Sequence, residues 1–224
     1  MYFFYIWQID STQNHSKALK NLHSGNVTFW VQSGCQIHGR GQRGKKWDCF
    51  EGNLFLTGSF LLPKIALSGR LAISVGVTLA KILQSFLPNQ QIGLKWPNDL
   101  LCNNKKVGGV LVEIEGIFAH VGIGLNIFTH PDNTAMPATH LQAYKAVDVN
   151  ALRCAIINAI GKDDLENFQS IQELWWLFAQ NTISCWGASE FIGGEVIGID
   201  GEGQLLVQAE DGQIFKRHHA FDAN

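Results

Sequence analysis

The chain has 224 residues, 46% of them hydrophobic and 16% charged, with a formal net charge of −2. That composition excludes a disordered chain and a broadly basic nucleic-acid-binding protein, and the length allows one full-sized domain with a small appendage. The five cysteines (Cys35, Cys49, Cys102, Cys154, Cys185) show no CxxC spacing and the eight histidines no HxxxH pairing, so free thiols in a reducing compartment and no built-in metal site are expected.

Met1–Trp7 is apolar but short and lacks a positive n-region, which reads as a first strand rather than a signal peptide. No apolar run reaches the length of a membrane span. A cytoplasmic protein with neither a membrane nor a nucleic-acid partner is expected.

Tyr2 to Ile9 is aromatic and β-branched and predicts a strand. Asp10-Ser11-Thr12 then starts a helix whose apolar stripe is Ala18, Leu19 and Leu22 and whose end is Gly25. Val27 to Val31 predicts the next strand, and Asn53 to Leu62 another, buried on both faces and stopped by Pro63. Leu71, Val75, Leu79, Ile82 and Phe86 recur at helical spacing, so Ser68 to Leu87 reads as a long helix facing the core.

Ile92 to Trp96 predicts a strand ending in the turn Pro97-Asn98-Asp99. Leu100 to Cys102 and Lys106 to Ile114 form a hairpin, with Gly108-Gly109 marking a bulge or a close approach to the backbone. Phe118 to Ile127 follows as a strand in which Gly122 and Gly124 leave one face as bare backbone. That face makes room either for a flat ligand or for tight packing. Thr129 to Thr139 reads as a loop, and Asn150 to Phe168 and Ile171 to Phe178 as helices, with Cys154 in a packing stripe. Composition shifts near Asn181, and from Gly193 short strands alternate with tight turns. A division into residues 1–180 and 181–224 follows, the second part being too short for comfortable independent stability.

Four segments carry chemistry. Gln36 to Trp47 alternates Gly39, Gly41 and Gly44 with Arg40, Arg43, Lys45 and Lys46. Such a run is either a solvated basic loop or an anion cradle built of backbone N–H groups and guanidinium forks. Ser11-Thr12-Gln13 opens a helix, where N–H groups and hydroxyls can hold a polar ligand or simply cap the helix. Lys95 sits on an otherwise apolar strand, at an edge or in a cleft, and Asn126 ends the bare strand. Asp99, in a turn, reads as structural, and no carboxylate dyad or nucleophile triad stands out. The set of cationic donors, glycine backbone and amides suits stabilisation of a phosphoryl or acyl-phosphate transition state.

The motifs His38-Gly-Arg-Gly-Gln-Arg-Gly-Lys-Lys-Trp47, Lys95-Trp-Pro-Asn-Asp-Leu100, Lys106-Val-Gly-Gly-Val-Leu-Val-Glu113 and Val121-Gly-Ile-Gly-Leu-Asn126, in that order, resemble those of the biotin–protein ligases. The likeness runs from Ser11 to the Gly198–Gly201 segment. Because the first strand stands at Met1, it is similar to the class without an N-terminal DNA-binding domain.

The resemblance implies an α+β fold. A mixed β-sheet has helices packed on one face, as in class II aminoacyl-tRNA synthetases, and a small SH3-like barrel follows. It implies ATP and biotin as substrates, Mg²⁺ with the ATP, a biotinoyl-adenylate intermediate, and the biotin carboxyl carrier protein of acetyl-CoA carboxylase as partner. It also allows a homodimer. Lys95 and Arg40 would be catalytic. Ser11, Thr12, Gln13, Gln36, Arg40, Gly41, Gln42, Lys95, Gly109, Gly122 and Gly124 would bind biotin. Arg43, Lys45, Trp47, Asn53, Lys95 and Asn126 would bind the nucleotide. Rival readings are a lipoate or octanoyl ligase or transferase of the same fold, and a non-catalytic binder. The chain departs from the family pattern at Gln13, where the familiar residue is Asn, and at Gln42 and Lys45, where it is Arg. Pro88-Asn-Gln-Gln91 stands where some relatives carry an acidic residue, so no catalytic aspartate is named.

Overall fold

A computed structural model of the chain describes residues 1–22, 28–62, 68–132, 134–160, 168–186 and 194–218. Seven strands make one mixed sheet: β1 (Tyr2–Ile9), β2 (Phe29–Gln36), β3 (Leu54–Leu61), β4 (Ile92–Lys95), β5 (Asp99–Cys102), β6 (Lys105–Glu115) and β7 (Phe118–Leu125). Their order is β1-β2-β3-β7-β6-β5-β4. Among the described residues, β1 and β2 are the sheet's one parallel pair of strands. A parallel pair needs a crossover, and helix α1 (Thr12–Leu22) supplies it. The remaining neighbours are antiparallel and joined by turns or returning segments.

Alternation along the strands sorts the two faces. Leu54 and Leu56 of β3, Val110 and Val112 of β6, and Val121 and Ile123 of β7 enter one buried cluster. In it they meet Leu71, Val75 and Leu79 of α2 (Ser68–Phe86), Leu152 and Ile156 of α3 (Val149–Ala159), and Trp175 of α4 (Phe168–Ala179). These three helices take one face, as the expected architecture has it. The residues between them, such as Thr57 and Ser59, point to the other face. There α1 crosses alone, with Ser16 hydrogen-bonded to Ser59 and Thr12 to Thr57. The part of this face that α1 leaves uncovered is where the candidate site lies.

The paired glycines of β6 serve both purposes foreseen for them. The β5–β6 register shifts between Leu100 and Leu101, leaving Val107 as the extra residue beside Gly108. A β-carbon at Gly108 would stand 2.7 Å from the Gly124 carbonyl oxygen. The long β6–β7 hairpin turns at Gly116, whose φ of 59° favours glycine.

Some boundaries moved. The strand expected at 27–31 runs over Phe29–Gln36, which brings Gln36 into the sheet. The helix expected through Phe168 ends at Ala159, because Ile160 is extended (φ −73°, ψ 131°). Phe168 instead opens α4. Cys154, assigned to a packing stripe, is exposed on α3, because Leu152 and Ile156 occupy the buried side. The expected stops at Gly25 and Pro63, and Gly193 where the C-terminal strands were to begin, lie outside the described residues.

The C-terminal part forms an antiparallel three-stranded sheet of β8 (Gly194–Ile199), β9 (Leu205–Ala209) and β10 (Ile214–Arg217) where a small barrel is expected. It shares its core with the main sheet, since Val196, Ile199, Leu205 and Val207 join the same buried cluster. Trp96 Nε1 donates to the Gly203 carbonyl across the joint at 2.9 Å. Among the described residues, no helix is long and apolar enough to cross a membrane.

Candidate active site

The open part of the α1 face holds a cavity of about 490 Å³. Its walls come from the start of α1, the 36–47 loop, the Lys95–Asp99 turn, the glycine face of β6 and β7, and the end of β10. Segments far apart in the chain thus meet at one cleft. Seven cationic side chains line it (Arg40, Arg43, Lys45, Lys46, Lys95, Lys106 and Arg217) against one carboxylate, Asp99. Such an excess concentrates anions on a protein whose net charge is slightly negative.

The cleft floor beside α1 is a closed hydrogen-bond network. Gln36 Oε1 accepts from the Thr12 backbone N–H at 2.7 Å and from the Thr12 hydroxyl at 3.0 Å. The Thr57 hydroxyl lies 2.8 Å from Thr12 Oγ1 and 3.1 Å from Gln13 Oε1, donating between them. Gln13 Nε2 donates to the carbonyls of His120 and Leu111. The backbone N–H of Gln13 is taken by Ser11 Oγ at 3.2 Å. The N–H groups of Thr12 and Gln13 are therefore satisfied within the protein, and at these positions α1 presents hydroxyls and amides to the cleft. Thr57 is buried and central to this network, and sequence reading did not single it out. The signal for it was a pair of hydroxyls, Thr57 and Ser59, at alternate positions of a mostly apolar strand.

The glycine-basic loop folds back on itself. The Trp47 N–H donates to the Gly39 carbonyl at 2.9 Å, and the Gly41 N–H to the Lys45 carbonyl at 2.7 Å. A short helical turn, Gln42–Gly44, forms the tip, with Arg43 at φ 57° and Gly44 at φ 68°. Arg40 turns inward from this hairpin. Its Nη2 donates to both carboxylate oxygens of Glu113, at 2.8 and 2.7 Å, while Lys17 Nζ lies 3.4 Å from the same carboxylate.

The bare face of β6 and β7 is occupied by the protein itself. Gly109 and Gly124 underlie the Trp47 indole, and Gly122 underlies the Gln13 amide. Lys106 Nζ sits 5.4 Å from the Trp47 ring centroid and 2.6 Å from Asp99 Oδ1. Asp99, read as a structural turn residue, thus reaches the cleft wall through a lysine. Asn98 exchanges hydrogen bonds with the Val110 backbone in both directions, which fixes the turn after Lys95 against β6. The Trp96–Pro97 bond within this turn is cis.

Of the residues singled out from sequence, Ser11, Thr12, Gln13, Gln36, Arg40, Gly41, Gln42, Arg43, Lys45, Trp47, Lys95, Gly109, Gly122 and Gly124 line the cleft. Asn53 and Asn126 do not. Asn53 Oδ1 accepts from the backbones of Ile127 and Phe128, and Asn126 Nδ2 donates to the Thr139 carbonyl. Both amides are buried and hold the chain that leaves β7. Arg217 and His218, from the C-terminal part, line the cleft and were not foreseen. Among the described residues no cluster of three metal-ligating side chains exists.

Against known proteins, residues 5–127 match the biotin/lipoate A/B protein ligase family. The chain is 29% identical to the bifunctional ligase/repressor BirA of Bacillus spizizenii, over 91% of this chain and 68% of that protein. It is 33% identical to a biotin–[acetyl-CoA-carboxylase] ligase of Paracoccus denitrificans, over 57% of this chain and 55% of that one. Among solved structures it is similar to the biotin protein ligase from Aquifex aeolicus in complex with biotin and ATP. The TM-score is 0.72 and the identity 27%, over 96% of this chain and 94% of that one.

Proposed function

Since the chain belongs to the biotin/lipoate A/B protein ligase family, we propose that it joins biotin to a lysine of the biotin carboxyl carrier protein of acetyl-CoA carboxylase, using ATP. The observation that carries this reading is the cleft itself. Its cationic walls, its hydroxyl and amide floor and Lys95 converge on one cavity of about 490 Å³, within the size range of small-molecule sites.

In the first half-reaction a biotin carboxylate oxygen attacks the α-phosphorus of ATP. The new bond is an acyl–phosphate anhydride, the bond to the bridging oxygen breaks, and pyrophosphate leaves. Lys95 and Arg40, both in the cleft lining, would supply the fixed donors that added negative charge on the reacting phosphoryl group needs. In the second, the carrier's lysine amine attacks the acyl carbon, loses a proton and releases AMP. Ser11, Thr12, Gln13 and Gln36 suit the polar ring system of biotin, with Thr57 holding their hydroxyl and amide groups in register. Arg43, Lys45 and Trp47 suit the nucleotide. Among the described residues Asp99, paired to Lys106, is the one carboxylate of the lining, which suits Mg²⁺ arriving with the nucleotide as MgATP. The division into a catalytic part (1–180) and a C-terminal part (181–224) belongs to the same reading, with Arg217 contributed across it.

The test is pyrophosphate release from MgATP with biotin, with lipoate as the parallel substrate, followed by intact mass of an added carrier domain. Biotin-dependent release and a biotin-sized mass gain on the carrier are expected. Release with lipoate alone would make the chain a lipoate ligase, and no release with either would leave it a binding protein.

A further inference from the structure

The mechanism proposed above leaves one buried carboxylate unused. Glu113 lies on β6 on the cleft side of the sheet, two and four residues beyond the cleft-lining Leu111 and Gly109, but it does not itself line the cavity. It is 8% exposed, and its carboxylate meets two cations from two other elements, Arg40 of the loop hairpin and Lys17 of α1.

The geometry of the Arg40 contact is asymmetric. One terminal nitrogen, Nη2, serves both carboxylate oxygens. Arg40 Nε, in contrast, is buried and finds no hydrogen-bond partner among the described residues. A buried N–H left unpaired is costly, and in a native site it calls for an acceptor supplied from elsewhere. The hairpin holds the Arg40 backbone, which bridges Lys46 between the hydrogen-bonded Gly39 and Gly41, but the long side chain has many rotamers to choose from unless it is tethered.

We infer that Glu113 is a positioning residue, which docks Arg40 onto the sheet by one edge of the guanidinium and leaves its Nε edge for an anionic oxygen of the ligand. Lys17 completes the arrangement. Its Nζ, 3.4 Å from Oε1, brings a second cation from a second element to the same carboxylate, so the anchor is in place before ligand arrives. This inference rests on the proposed ligase reading for what the ligand is, but not for the docking of Arg40.

The test has two arms. In ligand-free protein, limited trypsin cleavage after Arg40 and Arg43 reads how firmly the hairpin is docked. Glu113→Ala and the isosteric Glu113→Gln are expected to accelerate that cleavage several-fold, with a smaller effect from Lys17→Ala. Equal rates in all of these variants and the parent chain would overturn the inference, whatever the cleft binds. The second arm is a double-mutant cycle on single-turnover pyrophosphate release. Glu113→Ala is expected to slow adenylate formation about 10- to 100-fold, by loss of a charge-assisted contact. Combined with Arg40→Ala it should add little further loss, because it acts through Arg40. Full additivity would overturn the inference. A parent chain that releases no pyrophosphate with biotin or lipoate would sink the ligase reading while leaving the trypsin arm decisive for Glu113.

Discussion

The Trp47 indole rests over the bare backbone of Gly124: a β-carbon at Gly124 would stand 2.7 Å from both Cε2 and Cζ2 of the ring. The glycine that empties one face of β7 is therefore matched to an aromatic side chain delivered by the loop 77 positions earlier in the chain (124 − 47). Substituting Gly124→Ala forces the indole to move. Trp47 is only half-buried and ends a hinged loop, so it is expected to yield by leaving the cleft rather than by straining the core. Overpacking costs of about 1–3 kcal/mol set the upper limit on lost stability. Biotin-dependent pyrophosphate release should fall about tenfold or more by the same arithmetic, while the thermal midpoint shifts by a few degrees. A normal rate would show that Trp47 has no part in closing the site.

Lys95 ends β4, at the far edge of the sheet, and still lines the cleft. Replacing it with Met removes the charge and keeps most of the stem. If it stabilises the reacting phosphoryl group, adenylate formation should slow about 100- to 1000-fold, the usual cost of removing one fixed donor from a transition state. Denaturant midpoints should change little. Single-turnover pyrophosphate release beside urea unfolding checks both halves.

His120 predicts an acid weakness. Its ring is fully buried beneath α1, with Nδ1 2.7 Å from Ser59 Oγ. Burial pushes its pKa down to about 4 and Lys17 and Lys20 push the same way, while Glu115 opposes them. The sign follows directly. The unfolded chain takes up a proton near pH 6.5, which the folded ring refuses until about pH 4. The stability from the neutral ring is present above pH 6.5 and is lost as pH falls towards 4, with a slope of at most about 1.4 kcal/mol per pH unit. Urea unfolding of the parent and His120→Gln proteins between pH 7 and 4.5 should give a shallower pH slope for the variant.

The cysteines should react in an order set by burial. Desolvation pushes the thiols of Cys49 and Cys102 up to about 11, whereas Cys154 is exposed on α3. At pH 8 a thiol of that pKa is thiolate in only about one molecule in a thousand, and the thiolate is the nucleophile. Peptide mapping after brief iodoacetamide treatment should find Cys154 labelled first and Cys49 and Cys102 last. In denaturant all five should label together.

Much of the fold was legible because its signals are local. The 3.6-residue recurrence of Leu71, Val75 and Leu79, the aromatic run Tyr2–Ile9 and the turn at Gly116 depend on residues within a few positions of one another. The motif residues could be assigned to a site because glycine, arginine and lysine in these patterns carry their chemistry in their own side chains. The end of α3 had a local signal, Gly161 directly after Ile160, but the apolar residues beyond it favoured continuing the helix.

What the sequence determined by itself was the set of parts: a strand–helix–strand start, a glycine-basic loop, a lysine before a turn, and two strands with a bare face. Only the tertiary structure decided which part each residue serves. Glu113 and Arg40 lie 73 positions apart, and their pairing exists because β6 runs beneath the returning loop. Asn53 and Asn126 read as ligand amides in the chain, yet in space they fasten backbone. The bare face of β6 and β7, open in the sequence to a flat ligand, holds Trp47 and Gln13. The physical reason is common to all three. A side chain's propensities are its own, but a hydrogen bond or a close contact belongs to two residues, and folding alone brings the second one near.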